Sequence, residues 1–142
     1  METGLSDSVV LVTGGAGGIG ESICRAFASE GAKVIVHYHE SSENADKIAN
    51  EIDGFSIKAD LRDSSQALAL IDTIVENFGK LDICVANAGY YPSESKPIWD
   101  IDEERWNQTI SSNLDVAVNT ARGFLREASR TGSGSLVFVG ST

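Results

Sequence analysis

The sequence specifies an α/β fold, a doubly wound parallel sheet with helices on both faces. Two observations lead to it. Five short apolar runs alternate with amphipathic helical stretches along 142 residues. Each run is joined to the next through a helix, which obliges parallel pairing and right-handed crossovers. A glycine-rich turn between the first run and the first helix is the feature with chemical content.

Val9-Val10-Leu11-Val12 reads as a strand buried on both faces, since it offers no polar side. Ile19, Ile23, Ala26 and Phe27 then recur at helical spacing, and Gly31 stands where a helix ends in a left-handed residue. Residues 34–36 make the second strand. Ala45, Ile48, Ala49 and Ile52 share one face of the next helix, expected to stop at Gly54. Residues 55–58 form a weaker third strand. Asp63-Ser64-Ser65-Gln66 reads as a capping box, the Asp63 oxygen taking a free amide and Gln66 reaching back. Ala67, Ile71, Ile74, Val75 and Phe78 follow on one helix face, up to a stop at Gly79. Residues 81–86 are the fourth strand.

A polar, aromatic loop over residues 90–100 precedes one long helical stretch, whose N-terminus suits the acidic run Asp100 to Glu104. On that stretch Trp106, Ile110, Leu114, Ala117, Val118 and Ala121 form an apolar stripe, spent either on the sheet or on another subunit. Gly132-Ser133-Gly134 breaks the chain before a fifth strand over 136–139. One domain is expected over residues 1–142.

Eleven Lys plus Arg against 21 Asp plus Glu give a net charge of −10. That excess argues against nucleic acid and anionic membranes as partners. No apolar run approaches the ~20 residues of a bilayer span, and the acidic start lacks the basic opening of a signal peptide. Cys24 and Cys84 each fall inside a regular element. A cytoplasmic protein with two buried thiols, no disulfide and no metal site is expected.

The turn Thr13-Gly14-Gly15-Ala16-Gly17-Gly18-Ile19-Gly20 joins the first strand to the first helix. A nucleotide phosphate approaches a helix N-terminus where amides are free and no Cβ intrudes. The expectation is that backbone amides between Thr13 and Ile19 are left uncapped for a pyrophosphate. The segment also fits G-x-G-x-x-G from Gly15 to Gly20, so glycine repetition leaves the register open. Gly20-Glu21-Ser22 lacks the Lys of a P-loop.

At this point the sequence resembles the short-chain dehydrogenase/reductase family. Thr13-Gly14 with Gly18-Ile19-Gly20 fits its T-G-x-x-x-G-x-G pattern, and Asn87-Ala88-Gly89 matches its N-A-G motif. Asp60 resembles its adenine-contacting Asp, Asn113 its helix Asn, and Ser141 the Ser at the end of its fifth strand. The resemblance implies a Rossmann-type sheet in the order 3-2-1-4-5. It implies cofactor contacts at Gly14, Gly17, Gly18, Ile19, Gly20, Tyr38, His39, Asp60, Leu61, Asn87, Ala88 and Gly89. The Asn87 amide would tie strand ends together, and Gly89 would leave room for a ribose. Asn113, a poor helix former, points to a kink or a bonded water.

Nicotinamide choice turns on the end of the second strand, where an acid would favour the free ribose of NAD. Tyr38 occupies that place, and His39, Ser41 and Ser42 are near enough to meet a 2′-phosphate. The cofactor is therefore NADP or NAD, with a slight lean to NADP. His37 and His39 share a strand face, but no third metal ligand is evident, and both read as solvated or cofactor-facing imidazoles.

The family's chemistry, hydride transfer between nicotinamide and a carbonyl or alcohol carbon, uses a Tyr to exchange the hydroxyl proton and a Lys to lower its pKa. The resemblance gives Ser141 the substrate oxygen and Asn113 a water in the proton path. No Tyr-x-x-x-Lys occurs here: Ser42, Glu94 and Ser95 stand at that spacing from Tyr38, Tyr90 and Tyr91. In the family the pair follows the Ser. The fifth strand, apolar on both faces, is expected to be covered by further chain or by another subunit. The leading expectation is an NAD(P)-dependent oxidoreductase of a small-molecule carbonyl or alcohol, or its cofactor-binding part, in a homo-oligomer. A nucleotide sensor without turnover and an assembly module pairing through the fifth strand are the alternatives.

Overall fold

A computed structural model describes residues 2–141. Strands β1 (Val9–Val12), β2 (Lys33–Tyr38), β3 (Phe55–Lys58), β4 (Ile83–Ala86) and β5 (Ser135–Phe138) form one parallel sheet in the order β3-β2-β1-β4-β5. Helices α1 (Gly18–Ser29) and α2 (Ser42–Glu51) cover one face. Helices α3 (Ser64–Phe78) and α5 (Val116–Thr131) cover the other. The expected doubly wound topology is the observed one.

β1 shows why the apolar run carries so much. Side chains alternate across a strand, so Val9 and Leu11 enter the core under α3 and α5, while Val10 and Val12 enter the core under α1 and α2. All four are buried, each contributing about 1.5–3 kcal/mol by leaving water. β5 is the opposite case. Val137 and Phe138 are 49% and 57% exposed at the sheet edge.

Three local expectations need correction. Gly31 and Gly79 do take positive φ after α1 and α3, but α2 ends differently. Its left-handed residue is Asp53 (φ 53°), a short polar residue that tolerates this region. Gly54 is there for close approach, since a Cβ would lie 2.6 Å from the Val34 carbonyl oxygen. The capping box at α3 is only half made. Asp63 accepts the Ser65 amide at 2.9 Å, but Gln66 Oε1 accepts from Asp60 N at 2.9 Å instead of from the cap.

The long helical stretch is interrupted. α4 (Glu103–Ile110), capped by Asp102, passes through a π-helical turn over Ser111–Asp115 before α5 begins. A π turn accommodates an extra residue and shifts the phase of the helix faces. The stripe read from the sequence therefore does not pack on the sheet as one face. Trp106, Leu114 and Val118 are exposed, and α5 buries Val116, Asn119, Thr120, Gly123, Phe124 and Glu127.

Candidate functional site

Strand order reverses between β1 and β4, and the space beyond their carboxyl ends is where such sheets form a crevice. A groove of about 760 Å³ lies there. All twelve residues expected to contact a cofactor line it: Gly14, Gly17, Gly18, Ile19 and Gly20 from the turn, Tyr38 and His39 after β2, Asp60 and Leu61 after β3, and Asn87, Ala88 and Gly89 after β4. Asn113 and Ser141 do not line it. Ser141 is exposed past the end of β5.

The floor of the groove is cross-tied. Thr13 is buried, and its Oγ1 accepts from Asn87 N at 2.9 Å and Ala88 N at 3.0 Å. Asn87 Nδ2 returns two bonds, to the Thr13 and Gly14 carbonyls at 3.1 and 3.2 Å. The expected tie between strand ends is thus present, with a hydroxyl as its second half. Gly14 (φ 62°) presses on Ala88, where a Cβ would come within 2.9 Å of Cα. A Cβ at Gly20 would come within 2.1 Å of the Gly14 carbonyl oxygen, so only glycine lets α1 start this close to the turn.

The expectation of uncapped amides from Thr13 to Ile19 holds for part of the turn and fails for the rest. Thr13 N donates to Val85 O, Gly15 N to His37 O, and Gly17 N to Gly14 O. Gly14 N donates to His37 Nδ1 at 3.0 Å. The amides of Ala16, Gly18, Ile19 and Gly20 have no protein partner among the described residues, and Gly17 at the N-cap brings no side chain to them. The amides available to an anion are that of Ala16 and those of the first turn of α1, at the positive end of its dipole.

His37 is the largest surprise. It lines the groove but is 3% exposed, so it is not the solvated imidazole of the first alternative. Its Nε2 lies 2.9 Å from Ala59 O while Nδ1 takes Gly14 N, so both nitrogens are occupied. Burial pushes its pKa down to about 4. His39, two residues on, is exposed and sits 3.7 Å from Asp60.

Asp60 accepts a fork of bonds from Arg62, Nε at 2.9 Å and Nη2 at 2.7 Å, and that guanidinium holds its carboxyl down at about 2. The turn beneath is pinned by Asn119, whose Nδ2 donates to the Leu61 and Arg62 carbonyls at 2.9 and 3.2 Å. Sequence reasoning missed Arg62 and Asn119. Arg62 was findable as the cation two residues after Asp60; Asn119 carried no local signal. Ser41 reaches the groove, whereas Ser42 lines a separate depression with Glu43 and Lys47.

Asn113 sits in the π turn and grips Tyr90 on both backbone groups, Oδ1 accepting from Tyr90 N at 2.9 Å and Nδ2 donating to Tyr90 O at 3.0 Å. It also donates to Thr109 O at 2.9 Å. The irregularity expected at Asn113 takes the form of a π turn. Gly89 lines the groove, but the atom its missing Cβ leaves room for is Asn113 Oδ1, 2.8 Å from the Cβ position. Cys24 and Cys84 are buried, and burial pushes both thiols up to about 12, which leaves them unreactive at neutral pH.

The family model described as short chain dehydrogenase matches residues 8–142. An uncharacterized oxidoreductase, YvrD, of Bacillus subtilis is 34% identical over 99% of this chain and 54% of its own length. The 3-oxoacyl-[acyl-carrier-protein] reductase FabG of Staphylococcus aureus is 34% identical over 92% of this chain and 54% of its own. The chain thus spans about half the length of these curated relatives. Among solved structures, a short chain dehydrogenase from Burkholderia cenocepacia in complex with NADP superposes with a TM-score of 0.86. It is 30% identical, over 96% of this chain and 56% of that one.

Proposed function

The chain belongs to the short-chain dehydrogenase family, and from that premise we propose that residues 1–142 are the dinucleotide-binding unit of an NAD(P)-dependent oxidoreductase of small carbonyl or alcohol substrates. One observation carries the reading. The first turn of α1 is uncapped at the point where strand order reverses, and Gly18 and Ile19, whose amides have no protein partner among the described residues, line a groove of about 760 Å³. Bound there, the nicotinamide cofactor supplies the hydride donor or acceptor.

The residues of this chain do the binding and the positioning. Gly18 and Ile19 amides take the pyrophosphate, close to a turn that Gly14 and Gly20 keep free of side chains. Asp60 and Leu61, on the turn that Asn119 pins, take the adenine; Tyr38 and His39 take the adenosine ribose. Asn87, Ala88 and Gly89 bound the groove on the β4 side, and Thr13 keeps them at a set height. Asn113 fixes the Tyr90 backbone at the groove's edge and anchors a water in the proton path; Ser141 holds the substrate oxygen. NADP is favoured over NAD because Tyr38 replaces a repelling acid and Arg62 lines the groove. The presence of Glu40 in the same lining opposes that preference, so it is modest. The exposed side chains of Trp106, Leu114 and Val118 are proposed as contacts of a homo-oligomer.

Fluorescence titration with NADPH and NADH tests the binding. Saturable uptake of at least one is expected, tighter for NADPH, and uptake of neither would remove the proposal. A second reading, a cofactor-binding protein without turnover, is favoured by the positions of Asn113 and Ser141, neither of which lines the groove. NADPH consumption against a panel of ketones and aldehydes separates the two readings.

A further inference from the structure

We propose that His37, as the neutral Nε2–H tautomer, is a positioning residue that clamps Gly14 and thereby sets where the first turn of α1 stands. The inference rests on the dinucleotide-binding reading above and concerns a residue that does not itself donate to or accept from the ligand.

The tautomer follows from the two partners. Gly14 N–H can only donate, so Nδ1 must be a bare lone pair; the Ala59 carbonyl can only accept, so Nε2 must carry the proton. Both bonds exist together in this form alone. An added proton on Nδ1 would face the Gly14 N–H directly, donor against donor, inside a site that is 3% exposed. His37 backbone joins in, its carbonyl accepting Gly15 N at 3.0 Å. One residue therefore holds two consecutive amides of the turn.

From Gly14 the constraint passes to the helix. The Gly14 carbonyl accepts from Gly17 N at 3.2 Å, and Gly17 is the N-cap of α1. The same carbonyl is the atom a Cβ at Gly20 would strike. Moving Gly14 therefore moves the segment that presents the Gly18 and Ile19 amides.

Burial keeps the ring neutral, and the charged groups around it change that little. On its own strand His39 disfavours a second cation, while Asp60, which favours one, is taken up by Arg62. The turn from Thr13 to Gly20 contains no titratable side chain, and from α1 the Cys24 thiol beside Gly15 stays protonated. Burial is the dominant influence, and it opposes charge on the ring.

Two substitutions separate the clamp from simple packing. His37→Asn keeps an acceptor at the δ position for Gly14 and cannot titrate; His37→Gln keeps a donor at the ε position for Ala59 and loses the δ acceptor. Dissociation constants for NADP⁺ at pH 7.5, urea midpoints, and the ¹⁵N-resolved Gly14 amide resonance would be measured for all three proteins. The Asn variant should bind within about threefold of the unaltered protein, and the Gln variant about tenfold more weakly, the worth of one hydrogen bond. The Gly14 resonance should follow a titration near pH 4 in the unaltered protein and lose it in the Asn variant. Equal binding by both variants, or a Gly14 resonance indifferent to His37, would overturn the proposal. If the unaltered protein takes up no NADP⁺ while the Gly14 titration is present, the dinucleotide reading fails and the clamp stands as a structural fact.

Discussion

Replacing Thr13 by Val keeps the shape of the side chain and removes its oxygen. That oxygen accepts from two amides, but they are not equally dependent on it. Asn87 N also reaches Val85 O at 3.1 Å, so it keeps a partner, whereas Ala88 N has only Thr13 Oγ1 among the described residues. Leaving one buried N–H unpaired costs about 1–3 kcal/mol, and losing the shared bond at Asn87 about 0.5–1 kcal/mol more. Ala88 is half-buried and water relieves part of this, so the loss expected for Thr13→Val is about 2–3 kcal/mol. At this chain length that lowers Tm by roughly 5–10 °C. Thr13→Ser, which keeps the hydroxyl, should lose about 1 kcal/mol or less. Urea unfolding of the three proteins reads these differences as shifts of midpoint at constant slope. A Val variant as stable as the Ser variant would refute the view that this hydroxyl joins β1 to β4.

Further expectations come from the same geometry. Gly20→Ala puts a methyl against the Gly14 carbonyl, so α1 must withdraw; a loss of about 1–3 kcal/mol in unfolding free energy and failure to bind NADPH are expected in thermal and fluorescence assays. Arg62→Ala should weaken NADPH about tenfold relative to NADH; an unchanged ratio by parallel titration would exclude Arg62 from cofactor choice. His37 ties stability to pH. Its pKa is lowered from 6.5 to about 4 on folding, so the unfolded chain binds the extra proton. The stabilisation is complete above pH 6.5 and falls away down to pH 4, by about 3 kcal/mol. Unfolding free energies across that window should slope less steeply in His37→Asn.

The parts of the fold that were legible in the sequence depend on nearest neighbours along the chain. β1 was plain because both its faces are apolar, and α3 because Gly79 ends it and Asp63 begins it. The misread features each depend on something distant. Asp53 and Gly54 are adjacent candidates for one left-handed position, and only the Val34 carbonyl, across the sheet, decides between them. Reading β2 as ending at residue 36 left His37 outside the strand; carried on to Tyr38, the alternation puts His37 on the buried face of Ile35. The π turn was foreshadowed by Asn113 in a helix interior, but its partner is a backbone 23 positions away. At the site, residue identities at the groove were legible because motif spacing reports on strand ends. Which amides remain free was not, because His37 and Val85 consume them from other strands.

The most direct test of the account is to follow individual backbone amides by ¹H–¹⁵N correlation spectra as NADP⁺ is added. Gly18 and Ile19 should move far downfield in a saturable manner, while Gly14 and Gly15, already held by His37, should shift little. Saturation that leaves Gly18 and Ile19 in place, or that perturbs a different face of the sheet, would contradict the claim that the first turn of α1 receives the pyrophosphate.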